Sequence, residues 1–377
     1  MGHLRRINKG RMVKLLFILA YSLVLLELTF QCFPAKYFQR QTMYRLYESD
    51  EYIPFRLRKN ANAVHQTAEF KYHVETNDVG MRDRDTKYDR DSRRILALGD
   101  SFTFGHGVEW DEVYVHRLER RTGYDILNAG QASGYGTDTQ YLYLKHKGLD
   151  FDPDIVLVGL FVFNDISEIN SVSEWHDVKD GLPGRITTDK YYMVARKKSW
   201  KTPIENLARY SRILSVAMEK AAVLRYQNLS KEGAKAEIEH RFKDNFGFFR
   251  KEMSPEVQDS FEKWKRCVLG MKRLCDERGI RLIFAVFPME IQIYPESFEL
   301  YRSFGQSMTE EEMKANLPQK RILRFLNQHG IESIDLLPAF KGSEYTFDDV
   351  YYKLDRHWKP LGHSIVADEI ARYLEGK

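Results

Sequence analysis

The sequence predicts a three-layer α/β/α domain on a doubly wound parallel sheet, behind an apolar N-terminal helix. From Arg94 onward, short apolar runs alternate with stretches of helical spacing. That alternation gives parallel strands with helices on both faces. Two of the runs, Ile155–Phe161 and Arg281–Phe287, are apolar throughout rather than every second residue. Strands covered on both faces read that way. The third observation is the N-terminus, where basic residues precede a long apolar stretch unlike anything later in the chain.

The elements follow in order. Residues 95–98 form the first strand, and residues 112–122 have helical spacing. Asp125–Asn128 is a short strand, residues 138–148 are helical, and Ile155–Phe161 is a buried strand. Residues 261–278 form a helix ending at Gly279, a residue suited to the left-handed turn that closes a helix. Arg281–Phe287 is a strand stopped by Pro288; residues 320–329 are a helix up to Gly330, and residues 331–335 the last strand. Residues 360–374 form the closing helix, with proline in its first turn, where a missing N–H costs nothing. Between residues 166 and 254 the pattern breaks into a helical insertion, with helical spacing at 203–224 and 231–249. Following a strand end, it reads as a lid or as a peripheral helical pad.

The ends of the chain bound its location. Arg5, Arg6, Lys9, Arg11 and Lys14 precede an apolar run interrupted only by Glu27. Residues 15–33 reach the length of a membrane span when Glu27 is accepted near the outer end. A transmembrane signal anchor fits best; a cleaved signal peptide and a soluble helix are the alternatives, and Phe33 is a poor cleavage-site residue. The basic flank puts residues 1–14 in the cytoplasm as a tail and the rest outside, periplasmic or extracellular. Residues 34–91 are polar and irregular and read as a stalk and lead-in that folds back on the domain, leaving 92–377 as the domain.

Composition removes several function classes. The net charge is +4, and no Lys/Arg stripe is interleaved with aromatics, so no nucleic-acid partner is expected. Cys267 and Cys275 lie eight apart in one predicted helix, about 12 Å at the usual rise and too far for a disulfide. No Cys/His spacing suggests zinc, and neither metal nor cofactor is expected.

The chemistry-bearing residues sit at the predicted strand ends. Gly99-Asp100-Ser101-Phe102 closes the first strand, Asn128-Ala129-Gly130 and Gly134-Tyr135-Gly136-Thr137 follow the second, and Phe163-Asn164-Asp165 follows the third. Asp355-Arg356-His357-Trp358 precedes the closing helix. Ser101 is a nucleophile that needs a base; His357 supplies it, and Asp355 orients the imidazole. His363 competes as base, and Asp348 or Asp349 as orienter. In this order the motifs resemble those of the SGNH, or GDSL-type, hydrolases, over roughly residues 77–373 with one long gap. Asn77-Asp78-Val79-Gly80-Met81-Arg82 is similar to a lead-in of a bacterial, membrane-anchored branch of that family. The resemblance implies an SGNH/flavodoxin-like fold and an oxyanion hole formed by Ser101, Gly134 and Asn164, with Gly130 as alternative to Gly134. The family's commoner Asp-x-x-His is shortened here to Asp-x-His, with Leu354 at the vacant position.

The expected function is ester hydrolysis by a Ser-His-Asp triad, removing acyl groups from an extracytoplasmic glycan or another small ester. An O-acyltransferase for a surface polysaccharide is the alternative, and a non-catalytic glycan-binding or assembly protein the third class.

Overall fold

The computed structural model describes residues 9–33, 46–48, 50–67, 69–84, 92–132, 135–167, 169, 176–179, 181–186, 211–227, 246–303, 306 and 308–376. Five parallel strands form the central sheet: β1 (Arg94–Gly99), β2 (Asp125–Asn128), β3 (Ile155–Phe161), β4 (Arg281–Phe287) and β5 (Glu332–Asp335). Their spatial order is β2-β1-β3-β4-β5. The winding direction reverses between β1 and β3, and such a switch point opens a crevice at the carboxyl ends of the strands. β1 and β3 are buried at every residue, as their apolar runs require.

Among the helices are α1 (Lys9–Gln31), α2 (Ser101–Phe104), α3 (Tyr114–Thr122), α4 (Thr137–His146), α5 (Pro255–Asp276), α6 (Leu317–Gln328) and α7 (Pro360–Glu375). α3 packs on α7, and α4 packs on α5. β4 shows how the layers divide, because alternate side chains point to opposite faces. Phe284 meets Trp264 of α5 at 6.5 Å between ring centroids, while Phe287 meets Tyr114 of α3 at 5.7 Å. Phe325 of α6 reaches Trp264 at 5.5 Å, so α6 lies on the α5 side.

The strands match the sequence reading closely; α5 does not. It begins at Pro255 rather than at 261, with the Ser254 hydroxyl accepting the Val257 N–H. The Ser-Pro cap signal was present, but the polar residues after it hide the helical spacing.

Within the expected stalk, residues 46–84 fold onto the domain. Tyr47–Glu48 pairs with Arg56–Leu57, and Asn62–Gln66 with Lys71–Glu75, both antiparallel. Tyr47, Phe55, Tyr72, Val74 and Met81 are buried in the common core. Lys71–Glu75 alternates exposed and buried residues, a strand period concealed by its high charge.

In the insertion, the helix Arg212–Gln227 is present, and His176–Lys179 pairs antiparallel with Leu182–Ile186, so this segment is not purely helical. The expected helical residues 203–210 and 231–245 lie outside the described residues, and Phe246–Phe249 forms a single 3₁₀ turn.

Residues 10–31 within α1 are long and apolar enough to cross a membrane. The carboxylate of Glu27, which interrupts this run, accepts the backbone N–H groups of Arg212 and Ile213 at 2.8 and 3.0 Å. It therefore caps the start of the Arg212–Gln227 helix.

Candidate active site

Ser101 is the first residue of α2, directly after β1. Asp100 caps that turn, its carboxylate accepting the Phe102 N–H at 2.9 Å. The turn sits tightly on the sheet because Gly99 of β1 is paired with Gly159 of β3. A Cβ on Gly99 would fall 2.0 Å from the Thr103 hydroxyl, and one on Gly159 2.5 Å from it. Two glycines side by side thus make the slot that Thr103 fills, and this seats the serine at the switch point.

The acid and the base come from the loop before α7. The Tyr352 N–H donates to the His357 carbonyl at 3.0 Å, and the Arg356 N–H to the Tyr352 carbonyl at 3.2 Å. Arg356 takes a left-handed backbone conformation, with φ of 69°. That reversal lets Asp355 and His357 meet on the same side of the chain. The Ser101 hydroxyl lies 2.7 Å from His357 Nε2, and His357 Nδ1 lies 2.5 Å from Asp355 Oδ1. Nδ1 donates to the carboxylate, leaving Nε2 free to accept the serine proton. Burial pushes the Asp355 carboxyl up, but the neighbouring His357 and His106 outweigh it and hold it well below the usual carboxylate range. Phe102 stacks obliquely under His357 at 4.8 Å and under buried Trp358 at 4.4 Å. The aromatic residues of the two motifs are therefore one packing unit.

The expected oxyanion donors are placed in part. The Ser101 N–H, at the start of its helix, has no partner within that helix. Asn164 lies in the turn after β3, a turn held by Asp165, whose carboxylate accepts the Phe161 N–H at 2.8 Å. The Asn164 amide also bonds Asp100, whose carboxyl is pushed up to about 6 by burial against the hydrogen bonds it accepts. Gly134 lies outside the described residues. Gly130 is set aside, because its N–H already donates to Asn128 Oδ1 at 3.0 Å.

Residues 243–377 match the family described as SGNH hydrolase-like domain, acetyltransferase AlgX. That segment is similar to an SGNH hydrolase-like domain. The matched segment contains Asp355 and His357, with Ser101 and Asn164 outside it. The probable alginate O-acetylase AlgJ of Pseudomonas aeruginosa is 28% identical over 117 residues, covering 31% of this chain and 27% of that protein. The AlgJ of Pseudomonas fluorescens is 25% identical over 138 residues, covering 36% and 33%. The chain thus spans about a quarter to a third of the length of the curated relatives it matches. A solved putative lipolytic protein of the G-D-S-L family from Desulfitobacterium hafniense is 12% identical, with a TM-score of 0.37, covering 74% of this chain and 99% of that one.

The alternative candidates for base and orienter make other contacts. His363 is buried, and its Nδ1 accepts the Tyr114 N–H at 3.3 Å. Burial, with Arg117 and Arg82 nearby, holds it well below the usual histidine range, so it stays neutral and joins α7 to α3. Asp349 caps Thr346, and Asp348 pairs with Lys353 at 2.9 Å. Both nitrogens of His357 lie within hydrogen-bond distance of a partner, Nδ1 of Asp355 and Nε2 of Ser101.

Sequence reasoning missed the supporting residues of this site. His106 Nε2 lies 3.6 Å from Asp355 Oδ2. The Glu69 carboxylate accepts the backbone N–H of Asp355 at 2.8 Å and that of Leu354 at 3.1 Å. Arg82, fully buried, donates to the carbonyls of Phe104, Gly105, His73 and Val108. The lead-in motif contains the signal for this last feature. Asn77 Oδ1 accepts the Met81 N–H at 2.8 Å. Gly80, at φ 84°, has room for no Cβ, which would fall 2.5 Å from the Leu57 carbonyl oxygen. Together they turn the chain so that Arg82 enters the core.

Proposed function

We propose that this chain is a serine-dependent acyl-transfer enzyme that handles acetyl groups on a polysaccharide outside the cytoplasm, tethered by α1. The observation that carries the reading is the continuous contact from Ser101 Oγ through His357 to Asp355, at 2.7 and 2.5 Å. Serine hydroxyl is a weak nucleophile until such a base removes its proton.

In the first step Ser101 Oγ attacks the acyl carbonyl carbon while its proton passes to His357 Nε2. Asp355 stabilises the imidazolium. The oxyanion faces the Ser101 N–H, the Asn164 amide and, from the family resemblance, the Gly134 N–H. Collapse breaks the ester bond, and His357 returns the proton to the leaving oxygen. The acyl-serine is then attacked by a hydroxyl, whose proton His357 takes; collapse breaks the bond between Ser101 Oγ and the acyl carbon, and His357 returns the proton to Oγ. A sugar hydroxyl makes this O-acetyl transfer; water makes it hydrolysis.

Transfer is the preferred reading because the matching family is described as an acetyltransferase and the curated relatives are named probable alginate O-acetylases. Hydrolysis stands second, supported by a 22% exposed His357 side chain within reach of water. The test is mass spectrometry of the full chain incubated with an activated acetyl ester, with and without a polysaccharide acceptor. Transfer requires an acetyl adduct on Ser101 and its movement to the acceptor. An adduct lost at the same rate with or without acceptor selects hydrolysis, and no adduct on Ser101 refutes both.

A further inference from the structure

We propose that His106 is a positioning residue for the triad acid, sharing Asp355 with His357 and taking its tautomer from Tyr72. The inference rests on the acyl-transfer reading above and deepens it by adding a second histidine behind the carboxylate.

The direction of each proton follows from burial. Tyr72 is fully buried, and its hydroxyl lies 3.0 Å from His106 Nδ1. Burial raises the Tyr72 phenol well above its usual range, so it keeps its proton. A buried hydroxyl without an acceptor is costly, and Nδ1 is the side-chain acceptor within hydrogen-bond distance. Accepting at Nδ1 places the proton of neutral His106 on Nε2. That nitrogen faces Asp355 Oδ2 at 3.6 Å, while Oδ1 receives His357. The two imidazoles thus address the two oxygens of one carboxylate, with ring centroids 4.6 Å apart.

This arrangement has two consequences. With both oxygens engaged, the carboxylate keeps the plane that His357 needs. His106 also shares the Asp355 charge on which the Ser101–His357 proton transfer depends, so the pH profile of the rate reports its presence. Other groups face this cluster. His65 lies 5.3 Å from His106, and Arg82 lies over the Tyr72 ring at 4.9 Å. Glu69 accepts from the Asp355 backbone, Tyr352 donates to the Gly107 carbonyl at 2.9 Å, and Asp100 interacts with His357 from the serine side. None is altered by the substitutions below.

The experiment measures the acylation rate and steady-state kinetics of the full chain with p-nitrophenyl acetate across pH, for wild type, His106→Phe, His106→Gln and Tyr72→Phe. In His106→Phe the acidic limb of the rate profile should move up by about half a pH unit or more, with kcat falling roughly 3–10-fold and KM nearly constant. His106→Gln, which restores an N–H near the position of Nε2, should bring the limb back. Tyr72→Phe, which lacks one oxygen, should move it in the same direction as His106→Phe but less. A limb that stays in place in both His106→Phe and Tyr72→Phe overturns the proposal, whatever happens to kcat. If His106→Phe does not fold, Tyr72→Phe and His106→Gln decide by the same criterion. Ser101→Ala is run alongside: retained activity there refutes the acyl-transfer reading itself, a separate failure.

Discussion

Arg82 donates to the carbonyl oxygen of Gly105 at 2.6 Å, tying a hairpin ahead of the domain to the turn behind the serine. The same guanidinium holds the Phe104 and Val108 carbonyls, so the backbone on both sides of His106 hangs on one side chain. Lysine has one donor nitrogen and cannot reproduce a planar fork serving four carbonyls.

Removing that fork should therefore be costly. Arg82→Met is expected to destabilise the chain by about 3 kcal/mol or more, since buried carbonyls lose their donors and no new ones are in reach. Arg82→Lys should recover only part of this. Denaturant midpoints for both variants check it; equal midpoints for Arg82→Met and wild type would mean that the fork contributes nothing to folding.

The triad makes a graded kinetic prediction. Ser101→Ala should abolish the acyl adduct. Asn164→Ala should leave acylation detectable but about 10²–10³-fold slower, the usual effect of losing one oxyanion donor. His357→Ala should be slower still, because no group then removes the serine proton. Single-turnover acylation with p-nitrophenyl acetate ranks the three. An Asn164→Ala rate equal to wild type would remove that side chain from the oxyanion hole.

Asp138 gives a prediction about pH and stability. It is buried at the start of α4, and burial pushes its carboxyl up to about 7, against the hydrogen bonds it accepts from Thr139. A raised folded value means that the stabilising contribution is complete below the ordinary carboxylate range and is lost as pH rises through 7. Asp138→Asn removes a buried charge that exists only above that value. Its stability relative to wild type should therefore improve between pH 5 and pH 8, by about 1–2 kcal/mol. Denaturation curves at the two pH values test the sign. Asp83 and Asp100, also pushed up to about 7 and about 6, titrate in both proteins and drop out of the difference.

The anchor can be tested by topology. With residues 1–14 in the cytoplasm, a C-terminal alkaline phosphatase fusion should be active and a C-terminal cytoplasm-only reporter silent. The reverse pattern would move the domain to the other side of the membrane and remove the extracytoplasmic substrate.

Much of the fold was legible because β1, β3 and β4 are buried on both faces, and nothing but a continuous apolar run satisfies that environment. The meeting of Ser101, His357 and Asp355 was legible because each ends an element and sits in a short motif. His106 was not, since its partners are distant in sequence: Tyr72 on a charged hairpin and Asp355 near the closing helix. Of residues 46–84 only the folding back on the domain was legible, not the hairpins or the buried side chains. Their average polarity masks the alternation in Lys71–Glu75, and a buried arginine looks like a surface residue until its four carbonyl partners are known.

The 256 positions between Ser101 and His357 carry a temporal consequence. At the usual pace of synthesis, of 5–20 residues per second, the ribosome takes roughly 10–50 s to travel from the nucleophile to its base. On the acyl-transfer reading, the serine is an ordinary alcohol throughout that interval, because the group that would withdraw its proton has not been made. Reactivity therefore begins only after the loop before α7 closes over β1. A growing or truncated chain is chemically silent, and the protein becomes able to accept an acyl group at about the moment it becomes folded.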